Sequence, residues 1–307
     1  AEWAGLSDPR EGLRHWRRVR ELAPGIEDER ERTVLRLEAC NQLLSLGWRM
    51  GGSEAEAVAV FAEGRALTEG LGDRSATALL VGRYSLMRMS VAGSAIDYVR
   101  YGEEAALLAQ GSSDPALRAA VGTFPAFGHF YVGDGRAVLA WSARVLEEVG
   151  SDNSLGKEVV GYSPRASMIF ARVRALMYLG RLTEAWSQVR EAERVAEESR
   201  EIEVFGWVQL GWAEVAYACG DPGSTLEHGR RSLEIAEKLD NESSRMLAHA
   251  VLGFAYLLEG QPAAAREALR ESTAIARDRR TQTAMLPTVL AVLAEAHLAL
   301  GEQTEAL

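Results

Sequence analysis

Tyr178-Leu179-Gly180-Arg181-Leu182-Thr183-Glu184-Ala185 and Leu257-Leu258-Glu259-Gly260-Gln261-Pro262-Ala263-Ala264-Ala265 carry the same punctuation. An apolar helical run ends at a glycine, a short polar turn follows, and a second helical run opens with small residues. Leu298-Ala299-Leu300-Gly301-Glu302-Gln303-Thr304-Glu305-Ala306 is a third copy. Working outward, equivalent glycines stand at Gly52, Gly93, Gly133, Gly180, Gly220, Gly260 and Gly301, at intervals of 41, 40, 47, 40, 40 and 41 residues. Marks at a near-constant interval define a repeat array, in which each unit buries its apolar faces against its neighbours.

The chemistry at each mark is consistent. Glycine takes the left-handed conformation that ends a helix. Asp8-Pro9, Asp114-Pro115, Ser163-Pro164 and Asp221-Pro222 place a capping side chain before a proline at the first helical position. Ser53 and Glu56 have the spacing of a capping box. Five residues beyond the marks come Ala57, Ala185, Ala265 and Ala306, small enough for the two helices of a hairpin to approach closely. Within residues 263–276, Ala265, Ala268, Leu269, Ser272, Ile275 and Ala276 follow three-four spacing, and Arg266, Glu267, Arg270 and Glu271 fall on the opposite face.

The predicted fold is therefore all-α: a right-handed superhelical solenoid of antiparallel helical hairpins. It starts with half a unit, continues through six full hairpins and ends in an incomplete one. Residues 1–307 read as a single array. Ala1-Glu2-Trp3-Ala4-Gly5 reads as the tail of a first helix, and Leu307 falls one turn into a second helix. Solenoid ends carry polar capping helices. Neither end reads as capped, so the expectation is a fragment of a longer protein. The 47-residue interval contains residues 150–162, rich in turn formers and without helical period, which are predicted to form an irregular loop between repeats.

Composition narrows the function classes. The 307 residues are 47% hydrophobic and 25% charged, ordinary for a folded soluble chain. The apolar stretches are interrupted by charge too often to span a bilayer, and the expected location is cytoplasmic. A formal charge of −10 argues against nucleic acid or an anionic membrane as partner. Arg14-His15-Trp16-Arg17-Arg18-Val19-Arg20 is basic, but Glu27-Asp28-Glu29-Arg30-Glu31 follows, so it reads as a solvated helix face. The two cysteines, Cys40 and Cys219, lie far apart within apolar helical patterns and give neither a disulfide framework nor a zinc site.

The punctuation resembles the tetratricopeptide repeat, whose usual unit is about 34 residues. The unit of about 40 is similar to the variant in the C-terminal part of bacterial signal-transduction ATPase regulators and of class III nucleotide cyclases fused to such an ATPase. Gly161-Tyr162-Ser163-Pro164, Gly220-Asp221 with His228-Gly229-Arg230-Arg231-Ser232-Leu233-Glu234-Ile235-Ala236, and Ile275-Ala276-Arg277-Asp278-Arg279-Arg280-Thr281 resemble the cyclase-type relatives over residues 120–307. No catalytic residue carries over. Gly156-Lys157 is followed by Glu158 and lacks the first glycine of a phosphate-binding loop.

Catalytic chemistry is equally hard to find in the residues themselves. His15, His129, His228, His249 and His297 have no partners at metal-ligand spacing, and no nucleophile motif occurs. Glu103-Glu104, Glu147-Glu148 and Glu197-Glu198 are adjacent pairs, which point about 100° apart on a helix and read as solvated surface. No catalytic residue, metal or cofactor is expected.

The resemblance does imply a groove, lined by the second, fifth, ninth and twelfth positions of each first helix. With the glycine set at the fifteenth position, the candidates are Arg83, Phe127, Phe130, Phe170, Arg174, Trp207, Glu214, Tyr217 and Phe254, with Met87, Thr123, Ser167, Met177 and Leu210 beside them. Aromatics with a few charges are what a peptide- or ligand-binding groove needs. The reading is a non-catalytic scaffold or sensor that takes a protein segment, peptide or small effector in its concave face. The alternatives are a structural spacer or homo-oligomerising array, and the effector-sensing domain of an ATPase-type transcriptional regulator.

Overall fold

The computed structural model describes residues 8–306, so the expectations placed on Ala1–Gly5 and on Leu307 lie outside the described residues. Fifteen α-helices follow one another, with no strand among the described residues. They are α1 (Pro9–Leu22), α2 (Glu29–Met50), α3 (Glu54–Leu71), α4 (Arg74–Ala92), α5 (Ala95–Ala109), α6 (Pro115–Tyr131) and α7 (Gly135–Val149). Then come the single turn α8 (Lys157–Val160), α9 (Pro164–Tyr178), α10 (Leu182–Ser199), α11 (Ile202–Ala218) and α12 (Pro222–Lys238). The last are α13 (Glu242–Leu258), α14 (Pro262–Arg279) and α15 (Leu286–Ala299). Six hairpins are formed by α2–α3, α4–α5, α6–α7, α9–α10, α11–α12 and α13–α14, preceded by the lone α1 and followed by α15.

The capping residues act as their types dictate. The side chains of Asp8, Ser53, Asp114, Ser163 and Asp221 accept from the backbone N–H of Glu11, Glu56, Ala116, Ala166 and Ser224. Each satisfies one donor that the first turn of a helix leaves unpaired. Ala57, Ala185 and Ala265 are buried where the helices of a hairpin meet. Cys40 shares a core cluster with Ala57 and Ala185, and burial pushes its thiol up to about 12. Cys219 is exposed and its sulfur accepts from the Trp186 indole at 3.2 Å.

One punctuation mark moves. In the first hairpin Gly51, not Gly52, has the positive φ, at 76°. The other six marks, from Gly93 to Gly301, all have positive φ. The reason for the shift is long-range. A Cβ built on Gly51 would collide with the backbone carbonyl of Arg279, 228 residues further on, whereas a Cβ on Gly52 meets nothing.

That approach belongs to a closure of the solenoid on itself. The turn between α14 and α15 inserts against the first two hairpins. The Trp48 carbonyl accepts from the hydroxyls of Thr281 and Ser90, both at 3.1 Å. Thr283 Oγ1 donates to the Ser90 carbonyl at 2.9 Å. Trp48 and Ser90 lie in the last turns of α2 and α4, where helix carbonyls have no intrahelical partner. The inserted threonines supply the missing donors.

Charge reinforces the closure. Arg49 makes a bidentate pair with Glu203 at 2.8 and 3.0 Å. Glu242, only 1% exposed, is held by Arg10, Arg245 and Arg279. The turn pays locally for this: Arg280 and Gln282 have φ of 52° and 51° without being glycine. Each such residue costs on the order of 1 kcal/mol.

The 150–162 segment is less irregular than its composition implies. Asp152 Oδ1 organises a turn by accepting from Ser154 N and Leu155 N at 2.8 and 3.2 Å, and α8 follows. Arg83 then fastens the segment by donating to the Val159 carbonyl at 2.8 Å.

Two outcomes are expected. Gly51→Ala should destabilise the protein by about 1–3 kcal/mol, because the left-handed conformation and the Arg279 contact both oppose a side chain. Gly52→Ala should leave the urea midpoint almost unchanged, and equal midpoints for the two variants would contradict the closure. Thiol titration of the native protein should find Cys219 alone, with Cys40 appearing only in denaturant.

Candidate functional site

A cavity of about 70 Å³ lies among the helices next to this closure. All six hairpins contribute to its wall through their first helices. Trp48 comes from α2, Leu86 and Met89 from α4, and Phe127 and Tyr131 from α6. Phe170 and Arg174 come from α9, Trp207 and Leu210 from α11, and Ser243, Ser244 and Leu247 from α13. Three-four spacing within each pair is what puts both side chains on one helix face.

Trp207 is the aromatic centre. Its ring lies 5.2 Å from Tyr162 at 72°, 6.3 Å from Trp48 and 6.5 Å from Phe170. Such tilted and edge-to-face contacts are the favourable arrangements for aromatic quadrupoles. Arg174 is the charged member of the wall. It forms a bidentate pair with Glu214, both contacts at 2.8 Å, and its guanidinium sits 3.7 Å from the Phe130 ring centroid. Burial raises the Glu214 carboxyl, and the Arg174 charge opposes that rise.

Three tyrosines bring hydroxyls to this region. Burial raises Tyr98, Tyr131 and Tyr162 above the ordinary phenol value, so all three stay neutral donors at neutral pH. Tyr131 donates to Gln282 Oε1 at 2.7 Å, and Tyr162 lies 3.4 Å from Thr123 Oγ1. Tyr98 is 2% exposed and lines the cavity, and its hydroxyl has no protein partner among the described residues.

The sequence-derived candidates divide into four groups. Phe127, Phe170, Arg174 and Trp207 form the wall, together with Leu210. Phe130 and Glu214 stand behind it and hold Arg174. Tyr217 and Phe254 pair with each other 5.7 Å apart, away from the cavity, with Tyr217 exposed. Arg83 is also outside: burial pulls it down to about 10, its Nε has no partner, and it holds the 150–162 segment.

Several wall residues escaped the repeat frame. Counted from Gly51, Trp48 falls on the twelfth position; counted from Gly52, it misses by one. Tyr98 comes from a second helix, Tyr162 from the inserted segment and Gln282 from a turn. The period of the repeat says nothing about those three. His129 and His297, placed in equivalent repeat positions, simply meet Glu103 at 3.1 Å and Glu302 at 2.7 Å. No group of three or more metal-ligating side chains is assembled among the described residues, and no described helix is long and apolar enough to cross a membrane.

Residues 205–278 match the family model described as tetratricopeptide repeat. The array is tetratricopeptide-like. Solved structures agree on the fold of this tetratricopeptide-like array at low identity. A Rap protein complexed with competence and sporulation factor is 12% identical with a TM-score of 0.67, over 97% of this chain and 94% of that one. Aspartyl phosphate phosphatase F from Bacillus subtilis is 11% identical with a TM-score of 0.62, over 91% and 70%. A signal transduction ATPase with numerous domains and a tetratricopeptide repeat sensor, from Pyrococcus horikoshii, is 12% identical with a TM-score of 0.53. The match covers 96% of this chain but 45% of that one, so the array spans under half of that protein. No curated protein matches the sequence.

The Arg174–Glu214 pair gives a direct test of how the wall is held. Glu214→Ala strands a buried guanidinium and should cost about 3 kcal/mol. The double replacement Arg174→Met with Glu214→Leu should cost much less, as read from urea midpoints. Additive losses would mean that the pair is not coupled.

Proposed function

We propose that this array is a non-catalytic scaffold that binds a protein or peptide segment on its inner surface, as the sensing part of a signalling protein. The observation that carries the reading is the cavity itself. Side chains from all six hairpins converge there, Trp207 and Phe170 among them, and Tyr98 joins them from a second helix. Binding sites of this kind combine apolar walls with a few placed polar groups. The wall holds no acid, base and nucleophile converging on one point. Its one charged side chain, Arg174, is already neutralised by Glu214.

The likeness to a Rap protein with a bound factor and to an ATPase with a repeat sensor supports this reading at the level of fold. We further propose an ATPase or nucleotide-cyclase module as the part of the parent protein that receives the signal. Inner-surface binding then works by mass action: a partner that prefers one curvature of the superhelix shifts the array towards it.

Peptides selected from a random display library on the wild-type array provide the assay. Trp207→Ala and Phe170→Ala should each weaken them by about tenfold or more, as expected for aromatic anchors. Undiminished binding by folded variants, judged by circular dichroism, would remove the inner surface from the account.

A further inference from the structure

The polar part of the cavity wall is occupied by the protein's own chain. Gln282 is 3% exposed, and its carboxamide is held at both ends. Oε1 accepts from the Tyr131 hydroxyl at 2.7 Å, and Nε2 donates to Ser243 Oγ at 2.6 Å. A donor and an acceptor set this way complement one amide unit, with its carbonyl on one side and its N–H on the other. The residues that hold Gln282 belong to the third and sixth hairpins, on α6 and α13, and not to its own turn.

The same turn is not in a locally preferred conformation. Arg280 and Gln282 both sit in the left-handed region, and they persist there because Trp48, Ser90, Tyr131 and Ser243 hold the segment in place. Its outer edge is loosely tied: Arg280 reaches Glu54 only at 4.0 Å. The turn therefore has the features of a seated ligand that happens to be covalently attached.

We infer that Tyr131 and Ser243 form an amide-recognition subsite and that Gln282 is its built-in competitor. The external ligand is a peptide segment that presents a carboxamide, or a free backbone amide, beside a small apolar group. Cavity size limits that group to a single compact side chain: about 150 Å³ holds a benzene, and this space is smaller. Entry of the segment displaces the 281–283 turn, which is also the clasp between the last hairpin and the first two. Occupancy of the cavity and opening of the ring are thus one event. This inference rests on the inner-surface reading above.

The experiment uses the full chain and one defined probe, the capped heptapeptide Arg-Arg-Thr-Gln-Thr-Ala-Met that copies residues 279–285. Gln282→Ala empties the subsite and leaves the helices unchanged; Gln282→Met serves as a second variant that retains side-chain bulk. The probe should bind either variant at least about tenfold more tightly than wild type, because the tethered competitor acts at millimolar effective concentration. Replacing the probe's glutamine with alanine should cost about fivefold on the variants, as should adding Tyr131→Phe to them. Equal binding to wild type and variants, indifference to the probe's carboxamide, or no saturable binding to either variant would each overturn the inference. If library peptides still depend on Trp207 while the heptapeptide fails, the competitor is wrong and the inner-surface reading survives.

Discussion

The carbonyl of Trp48 ends a helix, and a helix end needs donors from elsewhere. In this protein they come from Ser90, in the next hairpin, and from Thr281, in the turn that follows the sixth hairpin. That single shared acceptor ties the beginning of the array to its end. Thr283 on the Ser90 carbonyl, Arg49 on Glu203 and Tyr131 on Gln282 join distant units in the same way. These contacts border a partly open cavity lined by the first helices and hold the strained turn at 280–282 in place.

The closure also explains which residues matter for the site and in what way. Charges near the cavity are used up in holding geometry: Arg174 with Glu214, Arg49 with Glu203, and Arg83 with the Val159 carbonyl. What remains available for recognition is neutral and directional. It consists of aromatic faces around Trp207 and the hydroxyls of Tyr98, Tyr131 and the nearby serines. On the proposed binding reading, such a surface would discriminate by shape and by amide pairing more than by charge.

How far the sequence alone reaches follows from the range of each interaction. The helices, their caps and the hairpin pitch are local, so Asp221-Pro222, Ser53 with Glu56 and the glycines report them directly. Positions on first helices inherit the period, and Phe127, Phe170, Arg174 and Trp207, nominated by it for a groove, all line the cavity. Trp48 was lost to a one-residue shift at Gly51, caused by a contact 228 residues away. Tyr162 and Gln282 lie in connections, where no period operates. Tyr98 projects inwards from a second helix. Tyr217 and Phe254 had the right spacing but pair with each other away from the cavity.

The central claim is that the last turn is docked between the first two hairpins in the folded protein. Ser90 Oγ and Thr281 Oγ1 lie 3.3 Å apart across 191 positions of sequence. A Ser90→Cys, Thr281→Cys variant, with Cys219→Ser to remove the exposed native thiol, places a disulfide test at that point. Rapid and near-complete formation of the cross-link under mild oxidation, with helicity retained, is the predicted result. Two thiols that stay free in a fully folded protein would contradict the closed ring and everything derived from it.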